Sequence, residues 1–291
     1  MAGDMAGDMA GDGARRALVL GGGGVAGVAW EAGIIVGLQE AGVDLTAADL
    51  IVGTSAGSIV GSFIGHGADL AEAVERSAAE ADNEPTEPAN VDMNAVMIAF
   101  GILFDPSIDP QEGRAQVGRL ALEAHVDGAA ARLERVARHV PSADWPDRPL
   151  LITSVDTADG AFVVWDRDSG IPLPTAVTAS CSVPCVFPPV EINGHRYMDG
   201  GARSVTNADL AAGASSVVIV EPLAYLSPRE TLRRELRELG DARVAHIGPD
   251  QAAIDVFGAN VLDPALWRPA FRAGLAQAAT SAPEVRAVWH A

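Results

Sequence analysis

Short apolar runs alternate with longer stretches of helical period along most of the chain. Arg16–Leu20 is a β-like run that stops in four glycines, Gly21 to Gly24, after which Val28–Ala41 reads as a helix. The unit then recurs: Leu50–Val52 predicts a second strand, Gly53–Gly57 a tight turn and Ala56–His66 a second helix. This alternation predicts an α/β fold in which helices cover both faces of a sheet. Small residues recur at helical spacing on both helices, as Ala29, Gly33, Gly37 and Ala41 on the first and Gly57, Gly61 and Gly65 on the second. Glycine costs about 1 kcal/mol inside a helix. The stripes therefore predict close backbone contact, of the helices with each other or with the sheet, that draws the two glycine turns together.

Residues 69–140 are mostly helical in pattern, broken at Asp82–Asn90 and Asp105–Pro110, and read as an inserted helical region. Within it Met93–Phe104 is almost wholly apolar, and at that length it predicts a buried helix, with an acyl-chain channel or lid as the alternative. Leu150–Val155 and Ala161–Trp165 resume strand patterning around the turn Asp156–Gly160, and Thr175–Cys181 reads as a helix ending near Pro184. Asn193-Gly194 between Val190–Ile192 and His195–Tyr197 is a strong hairpin signal, and this hairpin delivers Asp199-Gly200-Gly201. Val217–Val220 and Arg243–Ile247 predict further strands, and helices that include Pro269–Ala278 close a single domain over residues 14–291.

With 291 residues, 48% of them hydrophobic, the chain can bury a sizeable core. Acidic residues number 39 against 20 basic ones, a formal charge of −19, which argues against nucleic acid as a partner and against strong adhesion to anionic membranes. Transient contact with a membrane surface would then be short-range and apolar, or confined to Arg233, Arg234 and Arg237. These arginines alternate with Glu235 and Glu238 as on an ordinary solvated helix face. Cys181 and Cys185 support neither a disulfide framework nor a zinc site, and no cofactor or metal is expected. The repeat MAGDMAGDMAGDG predicts a disordered tail over residues 1–13 rather than a signal peptide. No run reaches the roughly 18 apolar residues of a membrane span, so a cytoplasmic location is expected.

Gly53-Thr54-Ser55-Ala56-Gly57 fits G-x-S-x-G between a predicted strand and a predicted helix, the context in which such a turn pushes a serine hydroxyl out above a helix N-terminus. A serine nucleophile needs a base, and its tetrahedral intermediate needs N–H donors, which Gly22, Gly23 and Gly24 can offer without side chains in the way. Gly22-x-Gly24-x-x-Gly27 also satisfies a dinucleotide fingerprint, with Asp44 and Asp49 near the interval of a ribose ligand. The strand that follows, however, ends in the serine turn instead. A binding protein that keeps a hydrolase scaffold fits the chain less well, because Ser55, Asp199 and the glycine loop are all intact.

GGGGVAG at Gly21–Gly27, GTSAG at Gly53–Gly57 and ASCSVPCVFPPVEINGHRYMDGG at Ala179–Gly201 resemble, in order and spacing, the three signatures of the patatin-like phospholipase family, and they frame about two thirds of the chain. The resemblance implies a three-layer α/β/α fold around a largely parallel sheet, acting on lipid or other acyl esters without calcium. It also implies Ser55 as nucleophile, Asp199 as base and Gly22, Gly23 and Gly24 as the oxyanion hole, with Gly27, Gly53, Gly57, Gly200 and Gly201 supporting these motifs. Members often carry a basic residue where this chain has Ala26, which removes a potential phosphate anchor. A Ser-His-Asp triad using His195, His246 or His290 is the alternative mechanism, although none of the three has a supporting motif. Asp156 reads as a turn residue.

Overall fold

The computed structural model describes residues 15–83, 92–124 and 129–290. The N-terminal repeat and most of the break at Asp82–Asn90 lie outside the described residues. Strand β1 (Arg16–Leu20) leads into helix α1 (Gly24–Glu40), and β2 (Leu50–Gly53) into α2 (Ala56–Gly65). Four helices follow: α3 (Leu70–Asn83), α4 (Met93–Leu103), α5 (Pro110–Glu123) and α6 (Ala129–Arg138). Then come β3 (Leu150–Asp156), β4 (Phe162–Trp165), α7 (Leu173–Ser180), β5 (Val190–Ile192) and β6 (His195–Asp199). The chain ends with β7 (Ser216–Val220), α8 (Arg229–Glu238), β8 (Arg243–Ile247), α9 (Gln251–Phe257) and α10 (Trp267–Trp289).

Among the described residues the eight strands form one sheet in the order β5-β6-β3-β2-β1-β7-β8, with β4 also on β3. β3, β2, β1, β7 and β8 run parallel, and the antiparallel pairings are confined to β4, β5 and β6. Along β1 alternate side chains enter different cores: Leu18 and Leu20 pack with α1 and α10, whereas Ala17 and Val19 pack with Leu232 and Leu239 of the α8 side. The fold is therefore a three-layer α/β/α arrangement around a largely parallel sheet. Burial on both faces explains why β1, β2 and β7 read as continuous apolar runs rather than as alternating ones.

Both small-residue stripes turn inwards and are buried except at their ends, where Ala41 and Gly65 are half-buried. The second lies on the sheet: a Cβ on Gly57 would fall 2.1 Å from the Leu20 carbonyl oxygen, and one on Gly61 would meet Ile51. The first faces α10, a partner far away in sequence. A Cβ on Gly33 would lie 2.2 Å from the Phe271 carbonyl oxygen, and one on Gly274 would lie 2.3 Å from that of Trp30. Backbone atoms cannot swing aside, so Gly33→Val is expected to lower stability by about 3 kcal/mol or more in chemical denaturation. Gly101→Ala, in a helix with open space around its Cβ, should instead raise stability by about 0.5–1 kcal/mol. Equal denaturation midpoints for Gly33→Val and the parent would show that the two helices can part at no cost.

Two expectations change. α1 starts at Gly24 rather than Val28, so the loop proper is Gly21–Gly23. Within the inserted region α3 adds Leu70, Ala73, Val74 and Ala78 to the main core. The apolar run Met93–Phe104 is helical but not buried: Val96 and Ala99 turn inwards, while Met93, Met97, Ile98, Phe100 and Phe104 are exposed. A helix lying on the outside of the fold has only one face to bury, and hydrophobicity alone does not place it. Among the described residues no helix is long and apolar enough to cross a membrane.

Candidate active site

The sheet order reverses between β1 and β7, and in open α/β sheets the crevice beyond the strand ends at such a point is where ligands bind. Parallel register sets Leu20 beside Gly53, so the glycine loop after β1 and the serine turn after β2 leave the sheet side by side. Two backbone bonds join them, from the Thr54 N–H to the Leu20 carbonyl at 3.0 Å and from the Gly57 N–H to the Gly21 carbonyl at 3.0 Å. Ser55 occupies the corner itself, at φ 52 and ψ −115, a left-handed conformation that a non-glycine residue holds only under constraint. Its N–H donates to Ser180 Oγ at 2.9 Å, and its side chain makes no capping bond to α2, which leaves the hydroxyl free for another partner.

Asp199 is brought to the same level of the sheet. β6 runs antiparallel to β3 and stops where Asp199 lies opposite Ser154, two residues beyond the Ile152 that pairs with Gly53. Two residues past Gly53 is Ser55, so the registers bring both side chains to the same level of the sheet. The Asn193-Gly194 turn, with φ 53 and φ 83, fixes the hairpin register that does this. A Cβ on Gly200 would fall 2.1 Å from Thr153 Oγ1, so only glycine lets the chain close in here. Asp199 is buried, and desolvation raises its pKa to about 7 against the opposing effect of hydrogen bonds from the Ser55 side chain and the Gly201 N–H. The Gly201 N–H lies 2.7 Å from Asp199 Oδ1.

Asn207 holds the turns that carry Ser55 and Asp199 in place and has no signature in the sequence reading. Fully buried and left-handed at φ 51, it donates from Nδ2 to the Ser204 carbonyl at 2.7 Å and to Thr54 Oγ1 at 3.0 Å, and Oδ1 accepts from Arg203 at 2.8 Å. Thr54 Oγ1 in turn lies 2.9 Å from Thr153 Oγ1. The segment after the aspartate is thus bonded to the residue before the serine.

The glycine loop lies against Ser55, with a built Cβ on Gly22 at 3.5 Å from the Ser55 Cβ. Gly22 departs from expectation, because its N–H donates to the Val205 carbonyl at 2.8 Å and is spent there. Among the described residues no acceptor takes the N–H of Gly23 or Gly24, which open α1 as unsatisfied donors at the positive end of its dipole. Ala26 is fully buried and its N–H is bonded to the Val261 carbonyl at 3.0 Å, so the position at which relatives often carry a basic residue does not face the cavity. That cavity, of about 600 Å³, opens from Ser55 between apolar walls that include Val28, Ile59, Phe187, Leu262 and Trp267.

The three histidines weighed from sequence are committed elsewhere. His195 Nδ1 lies 2.8 Å from Asp156, four residues or about 13 Å along an extended strand from Asp199. His246 Nε2 lies 2.6 Å from the buried Glu221, and His290 caps the end of α10. The histidine that does line the cavity, His139, has no sequence motif; it faces Ser77 at 3.1 Å and the Trp267 ring, and burial lowers its pKa. Asp44 and Asp49 accept local bonds from Thr46 and from the Arg16 N–H, so neither stands ready as a ribose ligand. Cys181, free and buried beneath Ser55 and Asp199, has its thiol pKa pushed up by burial. Among the described residues no cluster of side chains could hold a metal ion.

A mostly parallel sheet with helices on both faces, carrying these three turns at one strand-end crevice, defines the class. The profile of the patatin-like phospholipase family matches residues 18–212, and the chain belongs to this family of lipid acyl hydrolases. Among solved structures it is similar to VipD from Legionella pneumophila, at 12% identity and TM-score 0.43, over 93% of this chain and 67% of that one. It is also similar to the type III effector protein ExoU, at 15% identity and TM-score 0.38, over 94% of this chain. The chain spans about two thirds of the length of the first and 53% of the second. No curated protein matches it in sequence.

Proposed function

We propose that the protein hydrolyses carboxylic esters of lipid acyl chains through a Ser55–Asp199 dyad, with the N–H groups of Gly23 and Gly24 as oxyanion donors. The observation that carries this reading is the strand register that brings Ser55, held at a left-handed corner after β2, level with the buried Asp199, whose pKa burial raises to about 7. A base whose pKa lies close to the working pH is both deprotonated and basic enough to accept a proton.

As Ser55 Oγ bonds to the ester carbonyl carbon, its proton passes to Asp199 and the carbonyl π pair moves to oxygen, where the amides of Gly23 and Gly24 stabilise it. Collapse expels the alcohol oxygen, which takes the proton from Asp199 and leaves an acyl-serine. Water then repeats the sequence: it gives a proton to Asp199, attacks the acyl carbon and releases the fatty acid with the proton returned to Ser55. The apolar cavity suits an acyl chain, and because no metal enters any step, calcium is not required.

A fluorophosphonate, which phosphonylates serines activated as nucleophiles, should label the protein once, with peptide mapping placing the adduct on Ser55 and no label on Ser55→Ala. Label persisting in Ser55→Ala would place the nucleophile elsewhere.

A further inference from the structure

The exposed apolar face of α4 has neighbours of its own kind. Leu122 of α5 and the pair Tyr225–Leu226 complete the exposed large apolar side chains among the described residues. α5 packs on α4 through Val96, Ala99 and Val117. On the other side a small cleft brings Leu103 and Phe104 of α4 against Ser227 and Pro228, directly after Leu226. The exposed apolar face of α4 thus ends close to the chain segment that carries Tyr225 and Leu226, and an exposed apolar face of this kind marks an interaction site.

Its chemistry selects the partner. From Met93 to Phe104 there is no charged residue and Asn94 is the one polar side chain, while Asp92 and Asp105 flank the run. The run itself carries no cation to meet an anionic head group, and the net charge of −19 opposes both an anionic surface and a second copy of the chain. Methionine and phenylalanine side chains adapt to and enter the boundary between head groups and acyl chains. The inner side of α4 packs in the same cluster as Val183, Phe187 and Leu262, and these three residues also line the Ser55 cavity. A surface touching α4 therefore lies beside the cavity wall.

We propose that the exposed face of α4, with the neighbouring Tyr225–Leu226, docks the protein on a zwitterionic phospholipid surface next to the cavity that receives the acyl chain. The proposal rests on the reading of the protein as a lipid acyl hydrolase, and its test separates the two. Full-length Ser55→Ala, which leaves lipid intact, is floated with phosphatidylcholine vesicles and, in parallel, with vesicles containing phosphatidylserine. Expected are binding to phosphatidylcholine that survives concentrated salt and a loss of at least about tenfold in partitioning when Met97→Glu and Ile98→Glu are added. With Ser55 intact, the same two substitutions should leave hydrolysis of a soluble short-chain ester unchanged, which also verifies folding. No partitioning into phosphatidylcholine, equal partitioning of the two proteins, binding confined to anionic vesicles and abolished by salt, or a dimer in sedimentation that the substitutions dissolve would each overturn the docking surface. Failure to cleave the soluble ester with Ser55 present would instead overturn the hydrolase reading, whatever the vesicles show.

Discussion

Asp199→Asn is expected to lower kcat by about 100- to 10,000-fold, the range over which a positioned general base contributes. Asparagine keeps the shape and can accept from the Gly201 N–H, but it has no basic oxygen for the Ser55 proton. In the parent, activity should rise with pH through a midpoint near 7, because only the deprotonated carboxyl acts as base and burial raises its pKa to about 7. The stability effect has the opposite sign. Below about pH 4 both the folded and the unfolded chain hold the proton. Between there and pH 7 the unfolded chain gives it up first, so stability falls with rising pH, by on the order of 4 kcal/mol in all for a shift of this size. At pH 8 Asp199→Asn should thus be at least as stable as the parent, and this advantage should vanish near pH 4. Single His→Ala changes at His195, His246 and His290 should leave the chemical step nearly intact. A dead histidine variant beside an active Asp199→Asn would replace the dyad with a triad.

The parts of this site that were legible in the sequence are those determined locally. Burial on both faces makes β1 and β2 continuous apolar runs, a tight corner needs Gly53 and Gly57 around Ser55, and a two-residue hairpin needs Asn193-Gly194. Each requirement acts over a few residues and leaves a mark there. What the sequence hid depends on distant partners. The stripe on α1 signals a close approach but not that α10, more than two hundred residues later, provides it. The apolar run of α4 says nothing of which side faces out. Asn207 looks like any loop asparagine until its amide is found bonded to Thr54.

Gly22, Gly23 and Gly24 are equivalent as letters, and the structure separates them. A Cβ on Gly22 meets nothing closer than 3.5 Å, and its N–H is already held by Val205. A Cβ on Gly23 would fall 2.6 Å from the Pro222 Cβ and 2.7 Å from the Gly27 Cα, forcing the loop to shift. Gly23 is at φ −177, an extended conformation open to any residue, so the conflict is one of space and not of torsion. Gly22→Ala is accordingly expected to keep kcat within a few-fold of the parent. Gly23→Ala displaces the free amides proposed as oxyanion donors and should cost about 100- to 1,000-fold in kcat, the loss typical of a misplaced donor. Thermal melting run beside the kinetics separates a shifted loop from an unfolded protein, since Gly23→Ala should still melt cooperatively. If Gly22→Ala proved the crippled variant and Gly23→Ala the active one, the oxyanion donor would be the Gly22 amide, and the Val205 bond would have to open before each turnover.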